Sequence, residues 1–287
     1  MDKKIRLTEC PRDAMQGMQR FIPTEKKIEY INVLLKVGFN RLDFGSFVSP
    51  AAIPQMRDTA ALIPHLELSS STHLLAIVAN KRGAEEAVTF EEIDFLGFPF
   101  SISETFQMRN ANASITDSIK RVLDIQELCL KHSKKLLVYI SMAFGNPYGD
   151  AWSPELAGNY IGLFNKEGIE HFALADTIGI SDPQRISTLF TTLLPAFPDV
   201  ELGAHLHSTP DTARHKIDAA LGAGCRYFDS ALGGYGGCPM ASDALTGNIA
   251  TQAILAALAE SGFSSDVNAE ALAPCIRLSE EIAGLGA

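Results

Sequence analysis

Short apolar or β-branched runs alternate along this chain with longer stretches in which apolar residues recur three or four positions apart. This switch of period, from two to about 3.6, is the signal for strands followed by amphipathic helices. Ile5–Thr8, Asn40–Phe44, Ser71–Val78 and Ile93–Phe98 read as four strands, and Leu136–Ser141, His171–Ala175, Val200–Leu206 and Arg226–Ser230 as four more. Helical patterns fill the intervals. Lys26–Lys36 follows Thr24 as a predicted N-cap, and Ile53–Ile63, Arg82–Thr89 and Ser114–His132 come next. Ser153–Glu167 starts with a Ser cap and Pro154 at its first position, and Pro183–Leu194, Thr209–Gly222 and Ala250–Glu260 complete the series. Val267–Gly284 is predicted to form a final helical cap. Eight uninterrupted βα units predict a closed (β/α)8 TIM barrel rather than an open doubly wound sheet. No long linker, low-complexity tract or repeat interrupts the pattern, so residues 1–287 are expected to form a single domain.

In such a barrel the chemistry sits just beyond the carboxyl ends of the strands. Polar and ionisable residues fall there repeatedly. Arg12, Asp13 and Gln16 follow the first predicted strand, Asp43 lies near the end of the second, and Asp176 follows the sixth. The seventh ends in His205-Leu206-His207, two histidines whose alternation in an extended chain points both imidazoles to one side. A glycine-rich stretch, Gly233-Gly234-Tyr235-Gly236-Gly237-Cys238-Pro239, follows the eighth, and Asn248 stands further on. Each has a plainer reading on its own: a surface ion pair for Arg12 and Asp13, a helix cap for Asp176 or Asn248, an inert small residue for Cys238, and turn-forming glycines. Taken together, a carboxylate, two imidazoles and an amide oxygen form a mixed oxygen and nitrogen set suited to Mg2+ or Mn2+. Four such ligands leave two octahedral places for a chelating substrate, with Arg12 beside them to stabilise developing negative charge.

Composition narrows the partners. The chain has 46% hydrophobic and 20% charged residues and a formal net charge of −10, an ordinary balance for a soluble globular protein. With no basic run, it gives no reason to expect nucleic acid or an anionic membrane surface as a partner. The five cysteines are odd in number and scattered, with no C-x-x-C pair, which fits a reducing compartment and argues against a structural zinc knuckle. Neither a secretory leader nor an apolar run of about 20 residues is found, so a cytoplasmic location is expected.

Several motifs in order carry a family resemblance. Glu9-Cys10-Pro11-Arg12-Asp13 with Gln16, Gly45-Ser46-Phe47-Val48-Ser49-Pro50 with Pro54-Gln55-Met56, Ala175-Asp176-Thr177-Ile178-Gly179, His205-Leu206-His207, and Gly236-Gly237-Cys238-Pro239 with Gly247-Asn248-Ile249-Ala250 resemble the 3-hydroxy-3-methylglutaryl-CoA (HMG-CoA) lyase family. The similarity runs from about Ile5 to the last helix. It implies divalent-metal-dependent cleavage of HMG-CoA to acetyl-CoA and acetoacetate, with Asp13, His205, His207 and Asn248 as metal ligands. By the same resemblance, Arg12 stabilises the thioester enolate, Asp43 takes the place of the family's strand-2 acid, and Cys238 takes part in proton transfer. Gln16, Asp176 and Asn110 match positions near the substrate, and a homo-oligomer is the family's common state. The base that removes the hydroxyl proton is left open among His205, Asp43 and a metal-bound water.

This chain also departs from the family pattern. Asp43 stands where the family usually has Glu, Ala14 where it typically has Gly, and Ser208 where it typically has Asp; Met142–Tyr148 lacks the cysteines often found there. Two other lyase or synthase readings therefore accompany the main one: cleavage of a different 3-hydroxyacyl-CoA, and a Claisen-type condensation of acetyl-CoA with a 2-oxo acid. A noncatalytic barrel that senses acyl-CoA or metal is the reading from a different class. Retention of every proposed ligand speaks against it.

Overall fold

The computed structural model describes residues 3–68, 70–237 and 246–286. Eight parallel strands form the barrel among these residues: β1 (Lys4–Glu9), β2 (Arg41–Ser46), β3 (His73–Ile77), β4 (Ile93–Ser101), β5 (Lys135–Ser141), β6 (His171–Ala175), β7 (Glu201–His205) and β8 (Tyr227–Ser230). They run in sequence order, and β1 pairs with both β8 and β2, through Leu7↔Phe228 on one side and Thr8↔Arg41 on the other. That double pairing closes the sheet and removes its free edges. The expected TIM barrel is present. Most strand positions are buried, β2 over its whole length, because one face looks into the barrel and the other lies under helices.

Two apolar layers follow from that geometry. Leu75, Ile77, Phe95, Leu137, Tyr139 and Ala173 fill the barrel interior, while a much larger cluster lies between strands and helices. The lower end of the barrel is plugged by Arg41, paired with Glu201 and stacked on the Phe95 ring.

The helices are α1 (Pro11–Gln16), α2 (Thr24–Leu34), α3 (Thr59–Leu62), α4 (Lys81–Ala87), α5 (Glu104–Ala111), α6 (Ile115–Lys131), α7 (Pro154–Asn165), α8 (Pro183–Ala196), α9 (Pro210–Gly222), α10 (Thr251–Ser261) and the expected terminal cap α11 (Ala269–Gly286). Ser114 and Ser153 cap α6 and α7 through side-chain bonds to Asp117 N and Leu156 N.

Four local expectations need correction. Thr24 is not the cap of α2 but its first residue after Pro23, and its hydroxyl donates to Asp58. The single helix expected over Ile53–Ile63 is broken into a 3-10 turn at Pro54–Met56, the four-residue α3 and a second 3-10 turn at Ile63–His65, each 3-10 turn carrying a proline that offers no amide hydrogen. Strand β7 ends at His205, so His207 lies beyond it and meets Asn248 in an isolated antiparallel bridge. Helices α1 and α5 are additional. Both are short, and α1 starts at Pro11 directly after a strand, so neither presents an extended apolar stripe. Among the described residues, no helix is long and apolar enough to cross a membrane.

Candidate active site

The upper mouth of the barrel encloses a cavity of about 190 Å³. Arg12, Asp13, Gln16, His205 and His207 supply one polar wall, and Val48, Ala52, Ile53, Ile77, Pro99 and Phe106 an apolar one. Helix α1 delivers the first group. It begins right after β1 with Pro11, whose fixed φ suits a first helical position, and so it turns Arg12 and Asp13 inward over the barrel top.

Arg12 organises its surroundings. It donates through Nε and Nη2 to Asp43 and through Nη1 to Asp13 Oδ1 at 2.9 Å and Gln16 Oε1 at 3.0 Å. These bonds use four of its five N–H donors. Asp43 is 0% exposed and does not line the cavity. The carboxylate given a proton-handling role from the sequence therefore lies one layer below the mouth, as the anion that fixes Arg12. Burial pushes its pKa up to about 6 against the opposing pull of Arg12.

Asp13, His205 and His207 converge, with one donor atom from each lying within 4.8 Å of the others. Asn248 closes the group by donating Nδ2 to Asp13 Oδ2 at 2.6 Å and to the Tyr235 carbonyl at 3.0 Å, which uses both of its amide hydrogens. Gly236 makes this closure sterically feasible. At φ +97° it brings the glycine-rich stretch so near that a Cβ would stand 2.7 Å from Asp13 O and 2.8 Å from Asn248 Nδ2.

The two histidines differ in their support. His205 Nδ1 is 3.0 Å from Asp229 Oδ2, a bond that fixes the tautomer with Nδ1 protonated and leaves Nε2 for a metal. A ring with both nitrogens so engaged has none left to act as base. His207 is only 2% exposed, yet neither of its ring nitrogens has a partner among the described residues. A buried imidazole without a hydrogen bond is costly, and a cation that takes its lone pair removes the cost. Burial, then the charge on His205, lowers the His207 pKa to about 4, so the ring is neutral and able to coordinate. Burial raises the Asp13 pKa, but Arg12, both histidines and Asn248 outweigh it and hold the carboxylate ionised. The residues present therefore fit a divalent cation.

A second set, Cys10, His205 and Asp229, satisfies the same distances. It is the weaker candidate. Burial and then the neighbouring carboxylates push the Cys10 thiol well above its usual value, so it stays protonated, and Asp229 is committed to His205.

Of the other predicted residues, Gln16 and Asn110 line the cavity. Asp176 does not: its carboxylate accepts from Lys216 Nζ at 2.7 Å and from Ser181 N at 3.0 Å, which corrects the expected substrate contact. It is not a cap for α8 either, since Asp182 fills that place. Cys238 lies outside the described residues. Sequence reasoning missed Asp229, Lys216 and Tyr139, whose buried hydroxyl has no partner among the described residues and whose ring meets His205 edge-on at 5.4 Å. An acid inside apolar β8 was the one available signal for Asp229.

Comparison with known proteins gives consistent matches along the chain. The HMGL-like family model matches residues 5–278. A hydroxymethylglutaryl-CoA lyase of Bacillus subtilis is 32% identical over 283 residues, covering 98% of this chain and 94% of the relative. A Pseudomonas aeruginosa protein named 3-hydroxy-3-isohexenylglutaryl-CoA/hydroxy-methylglutaryl-CoA lyase is 32% identical over 256 residues, covering 89% of this chain and 85% of the relative. Among solved structures, an HMG-CoA lyase from Acinetobacter baumannii, in complex with coenzyme A and 3-methylmalate, aligns with a TM-score of 0.91 and 29% identity, covering 98% of this chain and 92% of that one.

Proposed function

This chain belongs to the HMGL-like family, and on that premise we propose that it is a divalent-metal-dependent carbon–carbon lyase that cleaves HMG-CoA to acetyl-CoA and acetoacetate. The observation that carries this reading is the convergence of Asp13, His205 and the unpartnered His207 beside Arg12 in one cavity. The cation, Mg2+ or Mn2+, would be held by Asp13, His205, His207 and the Asn248 amide oxygen. When bound, it supplies Lewis-acid polarisation of the substrate oxygens.

The protein's own residues do the rest. In the cleavage, the tertiary hydroxyl loses its proton and the carbon–carbon bond breaks. The carbinol carbon becomes the ketone of acetoacetate, and the electron pair passes into the thioester enolate of acetyl-CoA, which is then protonated. Arg12 opposes the enolate charge with its remaining N–H donor, and Asp43 holds the guanidinium still while it does so. Asp229 orients His205 through Nδ1. Gln16 and Asn110 are placed to meet the acyl-CoA, and Cys238 is assigned the proton transfer that its family motif carries. A single lyase domain spanning the chain, a cytoplasmic location and a homo-oligomeric state belong to the same proposal.

One observation favours a second reading. The apolar wall of Val48, Ala52, Ile53, Ile77, Pro99 and Phe106 suits an alkyl substituent longer than methyl, and one relative is named for an isohexenyl substrate. Incubation of purified protein and Mg2+ with HMG-CoA is expected to release acetoacetate. Cleavage of only a longer-chain 3-hydroxyacyl-CoA would select the second reading, and no cleavage of either would overturn both.

A further inference from the structure

We propose that Lys216 is a positioning residue for the metal-binding histidines, an inference that rests on the metal site of the proposed lyase. Lys216 lies in the middle of α9 and is 3% exposed. Ala213, Ile217 and Ala220 on the same helix are buried and apolar, and an apolar side chain would meet no penalty there. An ammonium taken out of water does, unless every donor is satisfied. All three Lys216 donors are: Nζ reaches Asp176 Oδ2 at 2.7 Å, the His207 carbonyl at 2.7 Å and the Gly179 carbonyl at 3.0 Å.

The partners explain the placement. Asp176, the counter-ion, donates its backbone amide to the His205 carbonyl at 2.9 Å. One buried ion pair thus holds both histidine carbonyls from behind, His205 through Asp176 N and His207 through Lys216 Nζ. Ser181 completes the set by donating its amide to Asp176 Oδ1 at 3.0 Å and its hydroxyl to Oδ2.

His207 depends on this support more than His205 does. His205 is the last residue of β7, and its ring is aimed by Asp229. His207 lies past the strand end, and no side chain among the described residues bonds either of its ring nitrogens. Besides the edge-on contact of its ring with His205, its orientation is set through the backbone, and Lys216 holds that backbone at the carbonyl. Outer partners of metal ligands act in this way, and their loss typically costs 10–100-fold in metal affinity.

Mn2+ binding, measured by the EPR signal of the free ion in wild type, Lys216→Met and Lys27→Met, separates positioning from general stability. Lys27 is an equally buried lysine, bonded to the Gln55 carbonyl and to Asp58, away from the histidines. The expected result is a Kd for Mn2+ raised at least about tenfold in Lys216→Met and unchanged in Lys27→Met. Asp176→Asn, which keeps the shape and weakens the hold, should raise Kd in the same direction and serves where Lys216→Met does not fold. Wild-type affinity in a folded Lys216→Met or in Asp176→Asn, or an equal loss in Lys27→Met, would overturn the role of Lys216. Absence of Mn2+ binding in wild type would instead overturn the metal site on which it rests.

Discussion

Three buried carboxylates near the barrel mouth do different work because their neighbours differ. Asp43 faces a guanidinium, Asp229 faces an imidazole, and Glu9 faces only neutral donors, the Leu232 amide at 2.7 Å and the Thr251 hydroxyl. Burial therefore dominates at Glu9 and pushes its pKa up to about 8. The folded protein holds this proton more tightly than the unfolded chain does. Its stabilising contribution is whole below the ordinary value of 4.5 and is lost as pH rises through about 8, on the order of a few kcal/mol. Glu9→Gln mimics the protonated form, so its urea midpoint should gain on that of wild type between pH 5 and pH 8.5. A gap that stays constant with pH would contradict this assignment. Glu9 is visible in the sequence as part of a motif but carries no role there, since its partners come from the turn just after β8 and from α10, more than two hundred positions away. Asp229 and Lys216 were hidden for a related reason: one reads as part of a short strand, the other as a charge on a helix next to Arg214 and His215, and only packing shows them buried.

Among the elements, the long periodic helices and the apolar strands were legible, while the pieces that build the site were not. Helix α1 is six residues long and α5 eight, too short for a repeating face, yet they bring Arg12, Asp13 and Asn110 to the cavity. The apolar spacing after β2 is that of one helix, but Pro54 and Pro64 divide it. Alternation carries the seventh strand to Leu206 and aims His207 to the same side as His205, whereas the strand stops at His205 and His207 pairs with Asn248. This departure matters, because it joins the second histidine to the segment that returns from the glycine-rich loop. Gly236 in the described stem of that loop packs against Asp13 and Asn248. Cys238→Ala is expected to keep Mn2+ bound and to lower turnover roughly 10²-fold or more, the usual scale for a lost proton-transfer group. Turnover equal to wild type would remove the role given to Cys238.

At the scale of the molecule, the closed barrel is what turns scattered motifs into one site. Asp13 and Asn248 are 235 positions apart and meet at 2.6 Å because β1 lies beside β8 in the closed sheet. The pattern of alternation sufficed to foresee that closure, and with it the set of strand ends where polar residues would gather. It could not separate the layers. Asp43, within β2, and Asp176, just after β6, carry the same sequence signal as the candidate ligands, yet both carboxylates are committed to other charged side chains, Arg12 and Lys216. In the proposed lyase, Asp13, His205 and His207 hold a divalent cation on which turnover depends. The most direct measurement strips the protein of metal, then titrates Mn2+ while acetoacetate release from HMG-CoA is followed. Turnover should rise to a plateau at about one Mn2+ per chain in wild type and stay near zero in His207→Ala, which retains no Mn2+ after gel filtration. Full turnover by the stripped protein, or a wild-type titration curve in His207→Ala, would contradict the account.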